Sequence, residues 1–192
     1  TSRLFAASSI GLFSYDAATL AEQAYARADQ PLRWLAAMPG GASVLAISAT
    51  QARLYRAADA APLKTLCSFP GPIIAAAPSP DRQRLVVAAE DFVQIWRLSG
   101  ATAALICQHS ASERCRAIVF APGGAVAAGA FGSDIVLWGA EDGRVLQQLH
   151  SAQGRIAQLA FSPDGDFLAA LGSNVAQVWR ASDGQLLHIA QE

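Results

Sequence analysis

Two sets of residues recur along the chain with one period of about 41 positions. A large aromatic side chain closes a β-type run in each repeat, and turn prolines recur at nearly the same intervals. The aromatics are Tyr15, Tyr55, Trp96, Trp138 and Trp179, and the prolines are Pro39, Pro80, Pro122 and Pro163. A period of roughly 40–45 residues built from short β-runs predicts one four-stranded propeller blade per repeat.

The clearest repeat unit spans residues 155–190. It contains four short runs, at 156–161, 167–171, 176–179 and from 185 onward, separated by turn sequences rich in Ser, Asp and Gly. Apolar runs of this length are typical of strands rather than helices. Units of the same form can be placed on residues 32–69, 73–110 and 115–151.

We therefore predict an all-β fold, a β-propeller of four-stranded antiparallel blades, with four full blades plus three strands of a fifth. The predicted boundaries are a partial blade at 1–29, which holds the last three strands, and full blades at 30–69, 70–110, 111–151 and 152–192, all in one propeller domain. We expect the ring to be incomplete, with the missing inner strand preceding Thr1 in a parent chain or supplied by a partner. Apolar side chains such as Leu4, Tyr15, Val178 and Leu187 should then be exposed on the end blades.

Residues 17–29 have two interpretations. The spacing of Leu20, Ala24 and Ala28 favours a short amphipathic helix, as does local propensity. The position of the segment after Tyr15 matches that of the outer strands after the other four aromatics. We predict an outer strand.

Composition limits the function classes. The 14 basic and 15 acidic side chains give a net charge of −1, whereas general nucleic-acid binders usually have a strongly basic surface. With 53% hydrophobic and 15% charged residues the chain is a packed domain rather than a disordered one. Only three cysteines are present, too few for a disulfide scaffold, so we expect a reducing, cytoplasmic location. The absence of a long apolar run argues against a membrane span.

One repeat contains the turn sequence Phe161-Ser162-Pro163-Asp164-Gly165. A small-residue strand, a strand that ends at Trp179 and a glycine turn at Gly184 follow it. This pattern resembles the WD-repeat β-propeller family. The resemblance covers essentially the whole chain and is clearest over residues 70–192. It implies the architecture, but it says little about activity.

The repeats depart from the family pattern at its polar positions. The aspartate that names the family follows only Tyr15, as Asp16, and Arg56, Arg97, Gly139 and Arg180 stand in its place elsewhere. The family's histidine corresponds to His109 and His150, and its turn acid corresponds loosely to Glu90, Asp91 or Asp134. We therefore expect apolar packing to carry more of the stability. In particular, the five recurring aromatics should fill the space between blades rather than stack on a ligand.

Sequence features that could indicate catalysis or metal binding are weak. Cys107, His109 and Cys115 give three potential zinc ligands without a clear fourth, and Cys67 shares the blade position of Cys107, so we predict ordinary strand residues and no metal. His109 and His150 are expected in equivalent loops, and His188 on an outer strand. The inner-strand segments 32–38, 73–79, 116–121 and 156–161 contain no Asp, Glu or His. We predict that the chain is not an enzyme and holds no cofactor.

Arginines form the most informative predicted surface. Arg33, Arg116 and Arg155 precede the turn prolines by even spacings, so strand alternation would point them to one side of the inner strand. The same rim of loops should carry the other candidate partner-binding residues, which are Glu90, Asp91, Phe92, Arg114 and Phe131. Arginines and exposed aromatics are enriched at interface hot spots. The alternative is that the arginines are scattered and solvated and that the phenylalanines pack between blades.

From these observations we predict a non-catalytic WD-repeat scaffold that mediates protein–protein interaction or the assembly of a multiprotein complex. The expected partners are other proteins with acidic surfaces, and the rest of its own chain or a second copy, rather than a membrane or nucleic acid. One alternative is an enzymatic or ligand-binding propeller whose site lies in blades outside this chain. Another is a rigid structural block of a large ciliary, trafficking or ribonucleoprotein particle.

Overall fold

The computed structural model describes residues 3–151, 154–172 and 174–191. Within these ranges the regular structure is entirely β, with nineteen strands in five antiparallel sheets. The predicted all-β fold is therefore confirmed, with four four-stranded sheets and one sheet of three strands. Among the described residues there is no helix long and apolar enough to cross a membrane.

The five sheets, named A to E in chain order, follow one another without crossing connections. Sheet A contains β1 (Arg3–Ala7), β2 (Gly11–Asp16) and β3 (Glu22–Arg27). Sheet B contains β4 (Leu32–Ala37), β5 (Ser43–Ser48), β6 (Gln51–Arg56) and β7 (Pro62–Ser68). Sheet C contains β8 (Ala75–Pro78), β9 (Arg84–Ala88), β10 (Phe92–Ser99) and β11 (Thr102–Ser110).

Sheets D and E repeat the same order of pairing. Sheet D contains β12 (Cys115–Phe120), β13 (Val126–Phe131), β14 (Asp134–Gly139) and β15 (Val145–His150). Sheet E contains β16 (Gln158–Phe161), β17 (Phe167–Leu171), β18 (Val175–Arg180) and β19 (Leu186–Gln191). The strands of each sheet lie within one predicted blade range, whereas their union in one propeller domain stays a prediction.

The segment with two interpretations forms a strand. Residues 22–27 pair with β2 in an antiparallel register that places Tyr25 opposite Phe13, with ring centroids 4.7 Å apart. The helix interpretation is therefore wrong, because cross-strand pairing outweighs local helix propensity here.

The chain divides into two compact units, one of Thr1–Ile73 with Leu98–Ala103 and the other of Ile74–Arg97 with Ala104–Glu192. In the first unit, sheets A and B enclose a core that includes Leu12, Ala46 and Tyr55. In the second unit one cluster lies between sheets C and D and another between sheets D and E. Each core is thus a layer between neighbouring sheets.

Small residues in β13, the second strand of sheet D, allow close packing in this sheet. In β13, Ala127, Ala128 and Ala130 are fully buried, and Gly129 lies under the ring of Trp138. A larger side chain at these positions would separate the layers, because protein interiors are packed to crystal-like density. The small residues of β13 therefore have a packing role.

The turn between the first and second strands has a fixed local chemistry in sheet E. The backbone N–H of Phe167 donates to the Ser162 hydroxyl at 2.9 Å, and that hydroxyl donates to Asp164 at 2.5 Å. Gly165 adopts a φ of +82°, which favours glycine. The same hydroxyl-to-carboxylate contact recurs in sheet C between Ser79 and Asp81.

Candidate functional site

One end of the second unit is formed by loops that hold one another through backbone hydrogen bonds. We call this surface the loop rim and define it as residues 89–91, 111–114, 132–133, 151 and 154–157, together with the adjoining Arg116 at the start of β12. The N–H of Ala111 donates to the carbonyl of Asp91 at 2.8 Å, and the N–H of Ile156 donates to that of Gly132 at 2.8 Å. Loops between second and third strands therefore meet loops that join successive sheets, as the antiparallel meander predicts.

Gly132 is the residue that allows the close packing of the loop rim. Its φ is +59°, a conformation that residues with a Cβ adopt at a cost. The Glu113 carboxylate also lies where a Cβ on this residue would be. Glu113 in turn forms an ion pair with Arg155 at 3.7 Å. The contact joins the loop that precedes sheet D to the loop that follows it.

The structure places two of the predicted arginines at equivalent β-bulges. The register of β12 with β13 shifts between Cys115 and Ala117, so Arg116 is the extra residue. Arg33 occupies the corresponding bulge between Leu32 and Trp34 in sheet B, in the first unit. A bulge directs the side chain of its extra residue away from the regular alternation. Both arginines are exposed.

Arg155 does not follow the predicted strand alternation. It lies before β16, and the N–H of Ile156 bonds to a neighbouring loop instead of pairing within sheet E. Strand periodicity therefore does not apply at this residue. Arg155 is nevertheless exposed at the loop rim, as is Arg114, which precedes Cys115 as Arg155 precedes Ile156.

Arginines of the described chain differ in their contacts. Arg27, Arg33, Arg114 and Arg116 are exposed and form no side-chain ion pair or hydrogen bond with the residues that the structure describes. Others contact a carboxylate, namely Arg53, Arg56, Arg84, Arg97, Arg144, Arg155 and Arg180. The guanidinium groups of the first set are available for an external carboxylate.

The two predicted rim phenylalanines are buried, so the expectation that they are exposed is wrong. Phe92 is 5% exposed and Phe131 is 8% exposed. Phe131 packs edge-to-face on Trp138, with ring centroids 5.9 Å apart, inside the layer between sheets C and D. This is the alternative interpretation, in which the phenylalanine packs between blades. The adjacent Glu90 and Asp91 are exposed.

The recurring aromatics are packing residues where a neighbouring sheet covers them. Tyr55, Trp138 and Trp179 are at most 2% exposed and belong to the inter-sheet clusters. The Nε1 of Trp138 is buried without a hydrogen-bond partner among the described residues. Tyr15, on sheet A, remains partly exposed.

The cysteines and histidines lie on strands. His109 and His150 belong to β11 and β15, so their predicted loop location is wrong, whereas His188 lies on β19 as predicted. His109 Nε2 is 2.7 Å from the Gly143 carbonyl. Burial raises the pKa of the Cys115 thiol to about 12. Within the ranges that the structure describes, no group of three or more His, Cys, Asp or Glu residues could hold a metal ion.

A groove of about 540 Å³ opens between sheets C and D. An apolar wall that includes Val136 and Trp138 faces the polar ends of β11 and β15. At one end, His150 Nδ1 and Asp134 Oδ1 are 2.6 Å apart. The volume is that of a typical ligand pocket. The lining residues were not identified from the sequence as a group, because they come from five strands of two sheets and from the loop after β11.

Two acidic residues of the structure were missed by sequence reasoning. Glu113 contacts Arg155 at the loop rim, and Glu141 contacts both Arg84 and Arg97 on the neighbouring sheet. Glu113 directly precedes Arg114, a charge alternation that could have marked the loop. The sequence offers no signal for the Glu141 contacts, because 57 residues separate it from Arg84.

Comparison with known families agrees with this architecture. Residues 143–180 match the model described as WD domain, G-beta repeat, over the stretch that contains β15 to β18. No curated protein sequence matches the chain. The matched repeat and the recurring four-stranded antiparallel sheets are consistent with a WD-repeat β-propeller. WD40 repeats support a protein-interaction or scaffold role in general, and such domains are generally non-catalytic.

Proposed function

We propose that the chain is a non-catalytic scaffold whose loop rim binds acidic segments of partner proteins and so contributes to the assembly of a multiprotein complex. The observation that carries the proposal is the pair of exposed arginines, Arg114 and Arg116, which have no partner among the described residues. Most other exposed arginines are already paired with carboxylates of the chain, namely Arg56, Arg97, Arg144 and Arg155. Backbone hydrogen bonds already hold this loop in place. Its unpaired guanidinium groups can therefore bind carboxylates with little loss of backbone conformational entropy.

The loop rim carries both signs of charge, which limits the kind of partner. Glu90 and Asp91 lie at the same end of the sheets, and Glu113 is paired with Arg155. A uniformly acidic surface would meet repulsion from Glu90 and Asp91. The preferred partner is therefore a short acidic segment that contacts the loop carrying Arg114 and Arg116. The three free cysteines, two of them buried, support the proposal of a reducing, cytoplasmic location.

The test is charge reversal with a control of equal charge change. We expect Arg114→Glu/Arg116→Glu to weaken binding of a fluorescent glutamate-rich peptide roughly ten-fold, since each exposed pair is worth up to about 1 kcal/mol. The control variant Arg82→Glu/Arg144→Glu changes turns at the other ends of the strands and should retain most of the binding. Thermal melts of both variants should match the wild type, because exposed charges contribute little to folding.

Quantitative mass spectrometry of proteins captured from native lysate extends the same comparison. Partners that depend on the loop rim should be lost with the first variant and kept with the control. Equal loss with both variants would show a non-specific charge effect. Unchanged peptide binding and capture would refute the assignment of the rim arginines.

A further inference from the structure

The groove between sheets C and D has an apolar floor. All of its described lining residues belong to the second compact unit. Val93, Phe131 and Trp138 line it and are at most 8% exposed. The half-buried Val136 and the exposed Val145 continue the same wall. Such a surface favours an occupant that brings an apolar side chain.

The polar groups along the groove offer hydrogen-bond acceptors. The Gly143 carbonyl and the Asp134 carboxylate can only accept, so His109 Nε2 and His150 Nδ1 donate to them at 2.7 Å and 2.6 Å. The other nitrogen of each neutral imidazole ring is then an acceptor. The second carboxylate oxygen of Asp134 has no hydrogen-bond partner among the described residues. An occupant with N–H donors therefore complements this groove.

The charge of the groove favours a cationic occupant. Of the described residues that line it, Asp134 is the one with a formal negative charge, and none is a lysine or an arginine. The Asp134 side chain is 60% exposed, so a cation can reach it. A carboxylate beside neutral acceptors is complementary to an ammonium or guanidinium group. Three further lining residues have side chains without a hydrogen bond to the described chain and can serve an occupant's backbone, namely Ser110, Ser112 and Gln148.

The spacing of the lining residues matches an extended peptide. Strand alternation in β14 places Asp134, Val136 and Trp138 in a row on the face of sheet D that lines the groove. Neighbours in this row are roughly 7 Å apart, because a strand rises about 3.3 Å per residue. Alternate side chains of an extended peptide have the same spacing. A cation over Asp134 would therefore bring the side chain two positions away to Val136.

We propose that this groove binds an extended segment of a partner protein in which a lysine or arginine alternates with apolar side chains. The cation pairs with Asp134, and the apolar side chains pack on Val136 and on Val145, the cross-strand neighbour of Trp138. The volume of about 540 Å³ is that of a site for a drug-sized ligand, so it accommodates more than one side chain. Binding here is independent of the rim arginines, which select segments of the opposite charge.

Fluorescence anisotropy with a labelled peptide tests binding to the 192-residue chain. The probe has the order lysine, serine, leucine, serine, leucine between two glycines, and a second probe has the reverse order. Matched peptides replace the lysine by glutamine, or both leucines by serine. We expect one or both probes to bind. Loss of the lysine charge should weaken binding about five-fold, as for an exposed ion pair, and loss of the leucines should also weaken it.

Variants of the protein locate the bound charge. Asp134→Asn should weaken binding of the lysine probe about five-fold, whereas the control Asp166→Asn removes an exposed carboxylate outside the groove and should not. Gln148→Arg places a cation opposite Val136 and should weaken binding roughly ten-fold or more. Its control, Gln83→Arg, makes the same change in an exposed turn and should retain binding.

The three histidines of the chain report where the probe binds. His109 and His150 line the groove, whereas His188 lies on β19. The lysine probe should shift the imidazole NMR signals of His109 and His150 and leave that of His188 unchanged. The Arg114→Glu/Arg116→Glu variant should still bind the lysine probe. Failure of the groove proposal is therefore distinguishable from failure of the rim proposal.

Each alternative outcome overturns the proposal. Absence of binding by both probes would refute a peptide site in the groove. Equal binding of the glutamine peptide, or of the probe to Asp134→Asn, would show that the occupant needs no charge. A shift of His188 alone, or equal loss with the control variants, would place the peptide elsewhere. If Gln148→Arg fails to fold by circular dichroism, Ser110→Arg replaces it in the same groove.

Discussion

Truncation of Trp138 tests whether the recurring aromatics act as packing wedges. Its side chain is 2% exposed and lies between sheets C and D, with His109 stacked 6.1 Å from its ring. Burial of an aromatic of this size, roughly 150–250 Å² at about 25 cal/mol per Å², is worth roughly 4–6 kcal/mol. The unpaired Nε1 costs roughly 1–3 kcal/mol, which offsets part of that gain. We therefore expect Trp138→Ala to lower the free energy of unfolding by about 3 kcal/mol.

The unpaired indole N–H makes a second substitution informative. Trp138→Phe keeps an aromatic ring and removes the orphan donor, so its cost should be about 1 kcal/mol or less. Trp179, which is equally buried, does not have a buried unpaired Nε1, and Trp179→Ala should cost roughly 3–5 kcal/mol.

Urea unfolding at low protein concentration, monitored by far-ultraviolet circular dichroism, measures each of these changes in the free energy of unfolding. A Trp138→Ala variant that unfolds at the wild-type midpoint would refute the wedge role. A Trp138→Phe variant as unstable as Trp138→Ala would refute the offset assigned to the N–H.

Two further predictions concern the same layer. Gly129→Ala should lower the free energy of unfolding by roughly 1–3 kcal/mol through overpacking, because its Cβ would lie 2.8 Å from Cη2 and 2.9 Å from Cζ3 of Trp138. In a double-mutant cycle measured by urea unfolding, this loss should be smaller in the Trp138→Phe background. An unchanged loss would contradict the clash. Burial raises the pKa of Cys115 from 9.0 to about 12, so its stabilising contribution is complete below pH 9.0 and is lost as the pH rises towards 12. Thermal melts across this window should fall less steeply for Cys115→Ala than for the partly buried control Cys107→Ala, and equal slopes would count against the buried thiol.

The recurring aromatics and turn prolines were sufficient to predict the successive sheets of the fold. A fixed interval between aromatics leaves room for four short strands and their turns, and long-range pairing then decides ambiguous segments such as Glu22–Arg27. The sequence could not decide between the exposed and the buried interpretation of Phe131, because its burial depends on the opposing sheet rather than on its own strand. The predicted orientation of Arg155 was wrong because the residue lies in a loop before β16, where strand alternation does not apply.

The polar groups around the aromatics explain why the repeats can diverge while the layers persist. In sheet C, the Nε1 of Trp96 donates to Gln94, whose amide in turn donates to Gln108 at 2.7 Å. In sheet D, Val136 takes the place of Gln94, two residues before the tryptophan, and the Trp138 indole N–H has no partner among the described residues. Because Trp138 is buried between sheets C and D without a partner for its N–H, ring volume rather than hydrogen bonding maintains the spacing of that layer. Loops of the rim are then free to vary in charge without disturbing the layers that support them, which is the property required of an interaction scaffold.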